Sequence, residues 1–190
     1  MPHYRTDDEA LVALARQLAD AYGEARTGAD QDYACDAIAG FLSEHRGHAP
    51  AEALLALLDL PLTAETFPLV DEAQLALAAR GPESVGPLLA AMAGEVYDVG
   101  GPVPERAGEI LSSLDPEAAA GGLVAVLCGA HDDRVKGVAL DALLDLGGAA
   151  EPYLVAARAD PDCLSWVDAA LAQLRRVRET GEDGMGETPS

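Results

Sequence analysis

The chain has 190 residues, 49% of them hydrophobic but only 4% aromatic, and a formal net charge of −21 from 33 acids against 12 bases. That length suits one domain with a sizeable core. So negative a surface repels phosphate backbones and anionic bilayers, which excludes ordinary nucleic-acid and membrane-surface binding.

Alanine and leucine dominate and no β-type alternation persists, so the predicted class is all-α. Thr6 with Glu9 spells a capping box that opens a helix over 7–26, with Leu11, Leu14, Leu18 and Tyr22 as its apolar stripe. This helix has no counterpart in the pattern that follows and is predicted to be an N-terminal cap. Gly28 ends it, and Asp30 and Asp32 place negative charge where the dipole of the next helix favours it.

Helix pairs are predicted from there on, each with a short apolar first helix and a longer, more charged second one. The first helices begin near Pro50, Pro82, Pro116 and Ala149, three of them with proline where its missing N–H costs nothing. Leu54, Leu89, Leu123 and Leu154 take equivalent places at spacings of 35, 34 and 31. The second helices share one frame, clearest in "VKGVALDALLDLG" from Val135. It recurs from Val103, Leu69 and Cys35, and more loosely from Cys163, at a period of about 32 residues. Gly47, Gly81 and Gly147 close three of these at a left-handed C-cap position, from which Asp115 departs. Two connections are long, near 59–68 and 95–103, and Gly100-Gly101-Pro102 makes the second the expected mobile loop. One domain is predicted over 1–180, with repeats at about 30–178 and a disordered acidic tail at 181–190.

Within the frame, offsets 0, 4, 7–8 and 11 are the predicted core, and offsets 2, 3 and 6 face outward. The outward positions give Asp71 and Glu72, then Glu105, Arg106 and Glu109, then Asp141, then Trp166, the only tryptophan. They form an acidic stripe of candidate partner-binding residues, although solvated helix faces would look the same. Trp166 has a second reading, as the residue that seals the last repeat.

The segment "LCGAHDDRVKGVALDALLDLGGAAEPYL" resembles a HEAT-like repeat of the short bacterial type also found in phycobilisome lyases. The likeness rests on Asp133 in the inter-helix turn, Val135-Lys136, Asp141-Ala142-Leu143, Leu146-Gly147 and Glu151-Pro152. It thins at Val103-Pro104 and Leu69-Val70, which lack the basic residue. It implies a right-handed α-solenoid of four to five stacked helix pairs behind the N-terminal cap helix, with second helices lining a concave, partner-binding face. The expected function is a non-enzymatic protein-interaction module or scaffold for a basic protein partner, in a sharper form an inhibitor or immunity-type protein. The rival expectation is an accessory subunit or enzyme resembling a bilin lyase.

No nucleophile elbow, phosphate loop or dinucleotide fingerprint is present, and neither a cofactor nor a metal is expected. His45 and His48 form an H-x-x-H that crosses Gly47, and cationic groups at a helix end explain it without a metal. Solenoid hydroxylases hold iron with His-Glu pairs, and this chain has no His-Glu dipeptide. Gly121-Gly122 lies inside a helix and suits close packing, and Arg175, Arg176 and Arg178 sit where they complement a helix C-terminus. Cys35, Cys128 and Cys163 are far apart and take small apolar slots, so buried free thiols in a reducing, cytoplasmic setting are expected. The start of the chain lacks a basic n-region and an apolar stretch, so no secretory signal is predicted.

Overall fold

The computed structural model describes residues 3–182. Its elements are α1 (His3–Glu24), α2 (Gly28–His45), α3 (Ala51–Leu57), α4 (Phe67–Ala79), α5 (Pro82–Met92), α6 (Val103–Ser113), α7 (Pro116–Cys128), α8 (Asp133–Asp145), a 3-10 turn (Gly147–Ala150), α9 (Glu151–Ala157) and α10 (Leu164–Glu182). No strand occurs among the described residues, so the protein is all-α as predicted. Residues 183–190 of the expected tail lie outside the described residues.

The helices fall into two rows. α1, α3, α5, α7 and α9 touch in succession, as do α2, α4, α6, α8 and α10, and each odd helix packs on the even helix that follows it. α1 shares this pattern, packing on both α2 and α3. It also starts at His3, so Thr6 lies inside the helix.

The apolar frame explains the even row. Offsets 0, 4 and 8 are buried in α4 (Leu69, Ala73, Leu77), α6 (Val103, Ala107, Leu111), α8 (Val135, Ala139, Leu143) and at α10 (Cys163 just ahead of the helix, then Val167 and Leu171). In α2 the frame sits one residue earlier than expected. Ala34, Ile38 and Leu42 are buried there, while Ala39 is exposed and Cys35 half-buried. In the odd row α3 is almost wholly interior, every residue but Glu52 being buried, whereas α9 buries only Leu154.

Side chains at the helix starts satisfy amides that have no partner within the helix. Thr27 Oγ1 accepts from the Asp30 N–H at 3.2 Å, and Asp132 accepts from the Val135 N–H at 2.9 Å. Asp115, which breaks the glycine pattern, accepts from the Glu117 N–H at 3.0 Å and so serves α7 rather than ending α6. Gly81 (φ 57°) and Gly147 (φ 63°) adopt the left-handed conformation expected of them. Gly47 does not, because α2 runs on into a turn with ordinary backbone angles. Gly122 lets α7 approach α5, since a Cβ there would collide with Leu89.

The free-thiol expectation is corrected at two of the three cysteines. Cys128, the last residue of α7, is disulfide-bonded to Cys163, just before α10, with Cα atoms 4.7 Å apart. The frame reading treated each cysteine within its own repeat, whereas the disulfide joins the end of one pair's first helix, α7, to the start of the next pair's second helix, α10. Cys35 alone is free among the described residues.

The long connections are pinned. Thr63 and Thr66 exchange backbone and hydroxyl hydrogen bonds at 2.9 and 3.2 Å, the Thr66 hydroxyl donates to the Pro61 carbonyl, and Thr66 is fully buried. In the 94–102 connection Gly94 (φ 78°) makes the turn, the Asp98 carboxylate accepts from the Gly100 N–H at 3.0 Å, and Tyr97 and Val99 pack on the core.

Candidate functional site

The outward face of the even row carries the candidate residues, and clefts run between its neighbouring helices. Between α4 and α6 lies a cavity of about 400 Å³ bordered by Phe67, Asp71, Gln74, Glu105, Arg106 and Glu109. A second cavity of about 190 Å³ continues the same furrow, sharing Asp71, Gln74 and Glu109 and adding Leu75, Ala78 and Ile110. Between α6 and α8 a cavity of about 280 Å³ is lined by Glu105, Glu109, Asp141 and Asp145. Between α2 and α4 one of about 340 Å³ holds Arg46, Glu72, Leu75 and Arg80.

Six of the seven predicted residues are thereby brought to the three successive clefts between α2 and α8. Trp166 is not among their lining residues; it sits on α10, half-buried and packed on the core. Two of the acids are paired across the row. Glu72 pairs with Arg46, and Glu105 accepts from Arg134 Nη2 at 3.0 Å. Asp71, Glu109 and Asp141 are exposed and carry no ion pair among the described residues; Gln74 Nε2 approaches Glu109 Oε2 at 3.5 Å. These unpaired carboxylates line the α4–α6 and α6–α8 clefts and make them acidic, whereas the α2–α4 cleft sets Arg46 and Arg80 against Glu72.

Arg106 departs from its expected outward position. It is only 7% exposed, and its Nη1 donates to the Leu58 and Leu60 carbonyls, the latter at 2.8 Å. Leu58 caps the C-terminal end of α3 and Leu60 lies just beyond it in the connection, so neither carbonyl has a partner within the helix, and the helix dipole favours a cation there. Burial pulls the guanidinium below its ordinary pKa range, opposed by Glu109, Asp59 and Glu105. Arg106 therefore forms the cleft wall and latches the α3–α4 connection to α6.

The apolar part of the face was missed. Leu62, Phe67 and Leu75 are 59%, 59% and 62% exposed, large side chains with no core to fill. Leu75 occupies offset 6, an outward position, and an apolar residue there was the available signal. Asp145 was missed too, because offset 10 lay outside the positions read as outward.

The two histidines of the H-x-x-H meet each other. His45 Nδ1 lies 3.2 Å from His48 Nε2, and the rings stack edge-on beside Phe41. Among the described residues no three histidine, cysteine or acidic side chains converge as metal ligands. Nor is any helix among them long and apolar enough to cross a membrane. The molecule is thus an all-α protein whose most distinctive surface is a furrowed acidic face. No known family, characterised protein or solved structure matches it.

Proposed function

We propose that the chain is an α-solenoid of five HEAT-like helix pairs that acts as a non-enzymatic protein-interaction module, docking a basic partner on the even-row face. The succession of contacts within each row supports the stacking of pairs; the right-handed, concave form expected from the resemblance is part of the proposal. The observation that carries the functional reading is the placement of Asp71, Glu109 and Asp141, exposed and without ion pairs, along consecutive clefts of one face. Carboxylates so arranged steer a cationic surface into register and reject anionic ones. An inhibitor that covers a basic, nucleic-acid-binding protein is the sharper form of the same idea. A cytoplasmic setting is retained as part of the proposal; the Cys128–Cys163 bond weighs against it, since such bonds persist mainly in oxidising compartments.

The test is capture from source lysate at low salt, elution with rising salt, and repetition with a Glu105→Lys/Asp141→Lys variant. One basic protein should elute at moderate salt from the parent and be lost with the variant. Equal retention by both would refute the assignment of the face.

A further inference from the structure

Resting on that reading, we infer that the furrow between α4 and α6 accepts a short basic segment in which arginine or lysine is flanked on both sides by bulky apolar side chains. The two cavities of the furrow are contiguous, because Asp71, Gln74 and Glu109 line both. The unpaired carboxylates of Asp71 and Glu109 therefore stand at its middle. At one end Leu62 and Phe67 expose more than half of their surface, and at the other Leu75 does the same above Ala78 and Ile110. The order along the furrow is apolar, acidic, apolar. α4 has 13 residues, so the furrow runs for about 18 Å, room for about twelve residues of helix or about five of extended chain.

Charge selects the occupant. A second copy of this chain would bring another −21 charges to a negative cleft, and the chain's own last residues carry Glu182, Asp183 and Glu187 without a single base after Arg178. Both are repelled by the surface that the apolar ends would attract them to. A cationic segment with no apolar residues would leave Phe67 and Leu75 as wet as they are now. An apolar segment with no cation would bury Asp71 and Glu109 uncompensated. Only the mixed segment meets both requirements.

The probe is a synthetic peptide of about twelve residues, the length of the furrow as helix, with two arginines at its centre and leucine and phenylalanine toward its ends. Its binding is followed by fluorescence anisotropy against a control peptide whose apolar residues are serine. The mixed peptide should bind at least about tenfold more tightly than the control, the share expected of partly buried apolar anchors. Phe67→Ser/Leu75→Ser should abolish that difference while leaving the control's affinity and the helical circular dichroism unchanged. Asp71→Asn/Glu109→Gln should weaken both peptides. If the two peptides bind equally, or the serine variant keeps their ratio, the inference is wrong while acidic docking survives. If neither binds at low salt, the acidic reading fails with it. If sedimentation shows a dimer that the serine variant dissociates, the occupant is a second copy and the inference is overturned.

Discussion

Arg106 is a cation placed where its residue type gives no hint of burial. Its side chain bonds two carbonyls that no helix hydrogen bond reaches, so Arg106→Met should leave both buried and unmet. The expected loss is about 2–4 kcal/mol of unfolding free energy, read as a lower urea midpoint with an unchanged slope. Arg106→Lys, which keeps the charge, should lose less. At Cys35 burial comes first, then Glu65, Asp32 and Asp36, in raising the thiol above its ordinary pKa. Iodoacetamide at pH 8 should therefore label Cys35 more slowly than a free cysteine peptide, because less of it is thiolate. A rate equal to the peptide's would contradict that environment.

Among the elements, the α7–α10 disulfide is the strongest constraint on the C-terminal pair. It closes a loop across a sequence separation of 35, for which chain entropy gives about 3–4 kcal/mol of stabilisation relative to the reduced chain. Cys128→Ser/Cys163→Ser, or the parent in a phosphine reductant, should unfold at a clearly lower urea concentration than the oxidised parent. Coincident curves would mean that the bond contributes nothing. Surface pairs such as Arg158–Asp168 at 2.9 Å and Arg178–Glu151 at 2.8 Å also join α9 to α10, but exposed pairs contribute little. The element pattern itself was legible, because offsets 0, 4 and 8 carry apolar residues wherever a helix packs on both its pair-mate and the previous member of its row. It slipped by one residue in α2, where Cys35 lies beside the buried Ala34 and looks equally apolar. The disulfide was not legible, since sequence periodicity describes each repeat and not the meeting of two repeats in space. Arg106 was misplaced for a related reason: its partners, Leu58 and Leu60, belong to a connection rather than to any helix in the frame. The acidic half of the face was read correctly as outward from Asp71, Glu109 and Asp141. Its apolar half was not, because an outward leucine is conspicuous only once Leu75 is known to have no core to fill.

For the whole molecule, the dominant fact is charge. With a net −21 on 190 residues, self-repulsion opposes compaction and is screened by salt over about 10 Å at 0.1 M. The melting temperature should rise between roughly 20 and 500 mM sodium chloride, a range over which that screening strengthens severalfold. A flat or falling curve would show that the carboxylates are already compensated. The same field makes docking on the even-row face a matter of position as well as sign. Reversing charges at Asp71, Glu109 and Asp141 should therefore differ from reversing as many on α1, for example at Asp8, Glu9 and Glu24, which are exposed on the odd row. The decisive measurement is calorimetric titration of the purified basic partner into both triple-lysine variants at one low salt concentration. The account predicts near-parental affinity for the α1 variant and loss of at least about a hundredfold for the even-row variant, the effect of three close charge reversals. Equal losses in the two variants would contradict it, because the acidity would then act only as net charge.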